Sequence, residues 1–226
     1  MQARDVMVSP VITVRPDAKV KETAKLLLER HISAVPVVSE TKIVGIVSEG
    51  DLFRRAEIGT QKHRNWLLRS LASDEALAAE YVRLHSRYVS DVMTRHVITA
   101  SPDTPLHEVA DLLERNGIKR VPIVSNGELV GIVSRTNLIQ VLASLKPALA
   151  LSLADAKIRD ELLKRLNAER WAHLATLNVI VNNGVVDLWG AIQSNEQRNA
   201  LRVAAETTPG VQTVNDYLFV PPAVSL

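Results

Sequence analysis

Ser48 and Asp51 stand three residues apart, directly after the apolar run Ile43-Val44-Gly45-Ile46-Val47. Ser134 and Asn137 keep the same spacing after Leu129-Val130-Gly131-Ile132-Val133. A carboxylate only accepts hydrogen bonds, a serine hydroxyl donates and accepts, and a helix start adds unpaired N–H groups. Together such groups can grip a hydroxylated or phosphorylated small molecule. The plainer reading is that Ser48 or Asp51 caps a helix, its oxygen accepting from a backbone N–H of the first turn. The spacing alone is compatible with both.

The elements that would position these groups are repeated. Gly45 recurs as Gly131, and the same offset of 86 holds through the neighbouring sequence without a gap. Asp5-Val6-Met7 returns as Asp91-Val92-Met93, Val11-Ile12-Thr13 as Val97-Ile98-Thr99, Pro16-Asp17 as Pro102-Asp103, and Val35-Pro36 as Val121-Pro122. Each repeat, about fifty residues long, reads as β-α-β-β-α. In the first, a strand spans Val11 to Val14 and a helix runs from Pro16-Asp17 to Glu29 with Val20, Ala24, Leu27 and Leu28 on one face. Strands Ala34 to Val38 and Ile43 to Val47 follow, and a last helix comes after Asp51. Pro36 has no amide donor, which places its strand at an edge or margin of the sheet. In the second repeat Asn126-Gly127 predicts a hairpin turn. One such unit is too small to bury its own sheet well, so two are expected to pack together.

The ordered set Asp91-Val92-Met93-Thr94, Pro102-Asp103-Thr104, Arg120-Val121-Pro122-Ile123-Val124 and Gly-Ile-Val-Ser-x-x-Asp/Asn resembles the tandem CBS-domain pair, or Bateman module, over about residues 4–145. The resemblance implies an α+β fold with two pseudo-symmetric units packed sheet to sheet. Unit one would span about 4–54, a helical spacer about 55–89 and unit two about 90–145. It also implies a homodimer through the CBS helices, and clefts that take an adenine nucleotide or adenosyl ligand: AMP, ADP or ATP ahead of NAD or S-adenosylmethionine. Carried over residue by residue, cleft one would use Ser48 and Asp51 with Ile98, Thr99, Ile118, Lys119 and Arg120. Cleft two would use Ser134 and Asn137 with Ile12, Thr13, Ile32, Ser33 and Ala34. A ribose offers two vicinal hydroxyls, and one carboxylate can accept from both. The charged Asp51 is therefore expected to bind more tightly than the neutral Asn137. Lys119 and Arg120 add cations for a phosphate where Ser33 and Ala34 add none; their plainer reading is a solvated charge pair at a helix end.

A third pattern follows a linker over 146–151 and occupies about 152–221. A helix is expected from Asp155 to Ala168, then strands Asn178 to Val181 and Val185 to Trp189 joined by the turn Asn182-Asn183-Gly184. A helix starting at Ser194-Asn195-Glu196-Gln197 and ending near Thr207 leads to a last strand, Val211 to Val220. This α-β-β-α-β order, with the run from Gly184 to Gly190 and Pro209-Gly210-Val211-Gln212-Thr213-Val214-Asn215-Asp216, resembles a BON domain. That resemblance implies a phospholipid surface or a protein partner and no catalytic residues.

Composition narrows the classes. Lys and Arg number 27 against 25 Asp and Glu, a net charge of +2, so a dedicated nucleic-acid partner is not expected. Arg54, Arg55, Lys62, Arg64 and Arg69 surround Trp66, a pattern read first as the solvated side of a helix. His31, His63, His85, His96, His107 and His173 show no metal spacing, and there is no cysteine. With no Walker loop and no defensible nucleophile–base set, the expectation is a non-catalytic sensor without a catalytic cofactor. The alternative is a scaffold with empty clefts, acting by dimerisation and through its C-terminal surface. No apolar run approaches the roughly 20 residues of a membrane helix. Met1 leads straight into the first repeat, so the expected location is the cytoplasm or the periphery of a membrane.

Overall fold

The computed structural model describes residues 1–53, 59–60, 73–144 and 153–222. The chain forms two compact units, one of Ile12–Val97 and one of Met1–Val11 with Ile98–Leu226. Sequence repeat and packing unit therefore do not coincide.

The unit Ile12–Val97 contains α1 (Val20–Glu29), β1 (Ala34–Ser39), β2 (Lys42–Ser48), α2 (Glu49–Leu52), α3 (Asp74–His85) and α4 (Val89–Val92). β1 and β2 form an antiparallel hairpin with Val35 opposite Val47, turned by Glu40 at φ 57°. Val20 and Leu27 of α1 pack on Val35, Val37 and Val47. The helix expected from Pro16-Asp17 begins only at Val20. Lys19 stays extended (φ −78°, ψ 139°) and bridges Tyr88, while the Val20 N–H reaches the Arg87 carbonyl at 2.9 Å. That tertiary pairing replaces the first helical turn.

The strand expected over Val11 to Val14 is reduced to one bridge, Val14 with Val37. The Val14 N–H donates to Pro36 O (3.0 Å) and the Val38 N–H to Val14 O (2.9 Å). Extending this parallel ladder toward Ile12 would next require a donor from residue 36, and proline has none. Ala100 repeats the arrangement against Pro122 and Val124 (3.1 and 2.9 Å). Pro36 and Pro122 thus sit at the margin of the regular hairpins, allowing one bridge and stopping a second.

The other unit holds α5 (Leu106–Arg115), β3 (Arg120–Ser125), β4 (Glu128–Ser134), α6 (Arg135–Ser144), α7 (Leu153–Asn167), β5 (Leu177–Asn182), β6 (Val185–Ala191), α8 (Asn195–Glu206) and β7 (Thr213–Phe219). Asn126 (φ 51°) and Gly127 (φ 84°) turn the β3–β4 hairpin, both positive as a type I′ turn requires. The start of the chain lies on this hairpin. Val8 and Ile132 exchange N–H···O bonds of 2.9 and 3.1 Å, and Met7 covers Gly131. In the first unit Thr94 and Ile46 pair in the same way (2.9 and 3.0 Å), with Met93 over Gly45. Each repeat's Asp-Val-Met segment therefore packs on the hairpin of the other repeat. A Cβ at Gly131 would lie 2.4 Å from Met7 Sδ, and one at Gly45 2.5 Å from Met93 Sδ. The close approach accounts for both glycines.

The C-terminal segment is a three-stranded sheet of order β5-β6-β7, with β5 antiparallel and β7 parallel to β6. The parallel pair needs a crossover, which α8 supplies. Leu162 and Leu166 of α7, Leu188 of β6 and Leu201 of α8 are fully buried in its core. Asn183 (φ 51°) and Gly184 (φ 71°) form the expected turn, and the Gly184 N–H donates to the buried Asp155 Oδ1 at 2.9 Å. Ser194 caps α8 by accepting from the Gln197 N–H at 3.2 Å. The Gln197 side chain takes the Gln193 N–H (2.7 Å), one residue before the partner a capping box would give it.

Candidate functional site

At the exit of β2, Ser48 is the N-cap of α2 and Asp51 its third residue. Asp51 Oδ2 accepts from the Ser48 N–H (2.8 Å) and hydroxyl (2.7 Å). The capping reading is thus realised, but with a single carboxylate oxygen. Among the described residues Oδ1 has no hydrogen-bond partner. Ala34 pairs opposite Ser48, and the Glu49 N–H donates to Ser33 O at 3.0 Å. Ile12 and Ile32 are half-buried against the hairpin core, and Thr13 is exposed.

The counterpart corner at the exit of β4 is built from the same bonds and used differently. Asn137 Oδ1 accepts from the Ser134 N–H and hydroxyl, both at 2.7 Å, and the Asn137 N–H donates to Ser134 Oγ at 3.2 Å. Asn137 is 6% exposed, and its Nδ2 donates to Gln140 Oε1 at 3.3 Å. Both ends of this amide are taken. Arg120 pairs opposite Ser134, and the Arg135 N–H donates to Lys119 O at 3.1 Å. The Arg135 guanidinium closes the end of α5, donating to Ile118 O (3.1 Å) and Leu113 O (3.2 Å). Three cations thus adjoin this corner, whereas Glu49 adjoins the first. Ile98 and Ile118 are half-buried, Thr99 and Lys119 exposed.

The clefts inferred from the sequence each draw on both compact units: Ser48, Asp51, Ile12, Thr13, Ile32, Ser33 and Ala34 belong to one, and the other seven residues to its counterpart. Within the units, contacts group Ser48 and Asp51 with Ser33 and Ala34, and Ser134 and Asn137 with Lys119 and Arg120. Arg54, Arg55, Lys62, Arg64, Trp66 and Arg69 lie outside the described residues. Among the described residues no group of three or more His, Asp or Glu side chains could hold a metal ion.

Four residues that periodicity alone did not single out join the C-terminal segment to the opening segment and the second repeat. Arg159, 8% exposed, donates from Nε to Val179 O (2.9 Å), from Nη1 to Arg4 O (3.0 Å) and from Nη2 to Met7 O (3.0 Å). Burial lowers its pKa, while the nearby Asp160 and Asp5 carboxylates raise it. The available signal was its place at helical spacing between Asp155 and Leu162, on the buried face. Asn178 Nδ2 donates to Gln140 Oε1 at 2.6 Å. Beside it Trp189 Nε1 approaches Ser144 Oγ at 3.4 Å, and Ile180 packs with Val121, Ile123 and Val141. A cavity of about 430 Å³ opens next to Arg159, lined by Arg4, Asp5, Met7, Asp160 and Lys164 among others. Arg4 already pairs with Asp103, and the three bonding nitrogens of Arg159 face carbonyls.

Comparison with known proteins follows the same division. The CBS domain matches residues 3–57 and 89–144, and the BON domain residues 154–222. The protein MJ1426 of Methanocaldococcus jannaschii is 32% identical over 154 residues, covering 63% of this chain and 91% of that protein. MJ1225 of the same organism is 30% identical over 142 residues, 62% of this chain, and the match spans only 42% of that relative. The crystal structure of CBSX2 in complex with AMP aligns with a TM-score of 0.56 at 24% identity, covering 64% of this chain and 98% of that one. This last likeness is one of fold.

Proposed function

The chain belongs to the CBS-domain family, with two CBS domains and a C-terminal BON domain, and we propose that it is a non-catalytic sensor of an adenine nucleotide whose ribose is read by Asp51. The supporting observation is the divided carboxylate. Oδ2 is fixed by two bonds to Ser48, so Oδ1 is held in place with its acceptor capacity unspent among the described residues. An acceptor already positioned loses little freedom when a ligand arrives. Asn137 Oδ1 already accepts twice, which favours the first corner as the ribose site.

AMP is the first probe, with ADP, ATP, NAD and S-adenosylmethionine compared beside it. A hydrogen bond to a charged group is worth ~1.5–3 kcal/mol, so Asp51→Ala should weaken AMP binding by about 10- to 100-fold in calorimetry. Asp51→Asn keeps an oxygen for the Ser48 cap and removes only the charge; it should weaken binding several-fold with the fold intact. Unchanged AMP affinity in both variants would end the assignment. Ile139 and Leu142 on α6 are 65% and 73% exposed, which supports pairing of two chains through CBS helices. Native mass spectrometry of the same samples reads chain number and bound nucleotide together.

A second activity is supported at the C-terminal sheet. Tyr217 and Phe219 of β7 are 46% and 52% exposed, and Tyr217 stacks on Trp189 with ring centroids 4.0 Å apart. The strand edge beside them is closed. The Leu218 N–H donates to Asp216 Oδ1 (2.9 Å), and its carbonyl accepts from Arg198 Nη2 (2.7 Å). Strand addition is therefore blocked there, leaving the aromatic face for a phospholipid surface. Among the described residues no helix is long and apolar enough to cross a membrane. In co-sedimentation with phospholipid vesicles the Tyr217→Ser/Phe219→Ser variant should lose most of the bound fraction; equal sedimentation of variant and wild type counts against this reading.

A further inference from the structure

We propose that the Ser134–Asn137 corner of the second CBS repeat is the latch that seats the BON domain, through a side-chain relay from Asn137 to Gln140 to Asn178. The proposal rests on reading the strand exits as nucleotide corners and assigns this one a different task. Gln140 Oε1 receives Nδ2 of Asn137 at 3.3 Å from one side and Nδ2 of Asn178 at 2.6 Å from the other. Asn137 and Asn178 are 6% and 4% exposed, so neither amide can turn to water for its hydrogen bonds. Asn178 Oδ1 is buried and accepts nothing among the described residues. Gln140 is then the polar anchor of that amide, and groups buried in this way must be paired inside the protein.

The relay explains the difference between the two repeats at this position. A carboxylate has no N–H and cannot donate to Gln140 Oε1. An aspartate at 137, matching Asp51, would set two acceptors against each other and require Gln140 to turn over. Its Oε1 would then leave Asn178. Asparagine keeps the cap on α6 through Oδ1 and adds the donor the docking needs. Around the relay the contact is apolar or weakly polar, with Ile180 in the second-repeat core and Trp189 beside Ser144, and the charged bonds of Arg159 go to the opening segment instead, so the relay fixes register on the α6 side. By reciprocity, a ligand that claims Asn137 Nδ2 must loosen Asn178, and a docked BON domain keeps the corner closed to ligand.

Side-chain amide NMR of the full chain tests this without any ligand. In Asn137→Ala the Asn178 Nδ2 resonances should shift and exchange faster with water, while those of the buried Asn182 stay in place. Asn137→Asp should produce the same response. Gln140→Ala should release both amides at once. In a denaturation cycle, Asn137→Ala and Asn178→Ala should couple by about fivefold in the unfolding constant, and the coupling should vanish in a Gln140→Ala background. An Asn178 signal indifferent to Asn137→Ala and Asn137→Asp, or strictly additive effects in the cycle, overturns the latch. AMP titration of the Asp51 variants judges the nucleotide reading separately, because no nucleotide is present in the latch experiment.

Discussion

Arg159→Met is expected to destabilise the protein by about 3–5 kcal/mol, and Arg159→Lys is expected to recover little of the loss. Arg159 holds a buried cation against three carbonyls from two places in the chain: Val179 in β5, and Arg4 and Met7 in the opening segment. Bonds from a charged donor contribute ~1.5–3 kcal/mol each, and methionine would take that donor from the buried Val179 carbonyl and from the part-buried carbonyls of Arg4 and Met7. Lysine presents one ammonium on a single stem, which cannot reach three divergent acceptors as a planar guanidinium does. The Asp160 and Asp5 carboxylates offset part of the burial penalty on this guanidinium.

The location of the damage distinguishes this account from a general loss of packing. Met7 covers Gly131, and Val8 exchanges hydrogen bonds with Ile132. When the carbonyls of Arg4 and Met7 lose their donor, the opening segment should detach from the β3–β4 hairpin before the hairpin itself opens. Amide hydrogen exchange should show Val8 and Ile132 losing protection first, with Val121 and Val133, which face one another across the hairpin, little changed. If Arg159→Lys unfolded at wild-type denaturant concentration, the three-carbonyl clamp would not be what holds the segment.

Much of the architecture was legible because it is written in local chemistry. Asn126-Gly127 and Asn183-Gly184 supply paired positive φ angles, and Ser194 begins α8 as an N-cap. What was not legible depends on partners far away in sequence. Helix α1 loses its first turn to Tyr88 and Arg87, which no pattern around Pro16-Asp17 announces. Exchange of the Asp-Val-Met segments is hidden by the repetition itself, because Met7 would fit Gly45 or Gly131 equally well on composition. The Ser-x-x-Asp and Ser-x-x-Asn corners were found from spacing, but spacing could not say that one amide is consumed by Gln140. The signal was present as a single departure from the repeat, asparagine where its twin has aspartate. Pro36 carried more than its edge preference, since a missing donor at that residue also limits the neighbouring strand to one bridge.

Gly190→Ala should be the most damaging glycine replacement in the C-terminal sheet, by about 3 kcal/mol or more, and the comparison with Gly117→Ala shows why. Both glycines have positive φ, 145° and 61°. Gly117 has nothing within 4 Å of where a Cβ would stand, so alanine there meets only the left-handed penalty of ~1–2 kcal/mol. At Gly190 the same atom would lie 2.1 Å from Thr176 O and 3.0 Å from Leu177 Cα. These are backbone atoms at the start of β5, directly across from Gly190 in the β5–β6 register, and no side-chain rotation can clear them. The strands must part at that end. Asn178 pairs with Trp189 one step further along, so the opening would reach the amide that bonds Gln140 and the indole that stacks on Tyr217. Thermal unfolding of the two variants side by side decides it. Equal losses at Gly190 and Gly117 would mean that φ alone governs both positions and that the close approach of β5 is not needed to hold the docking face in shape.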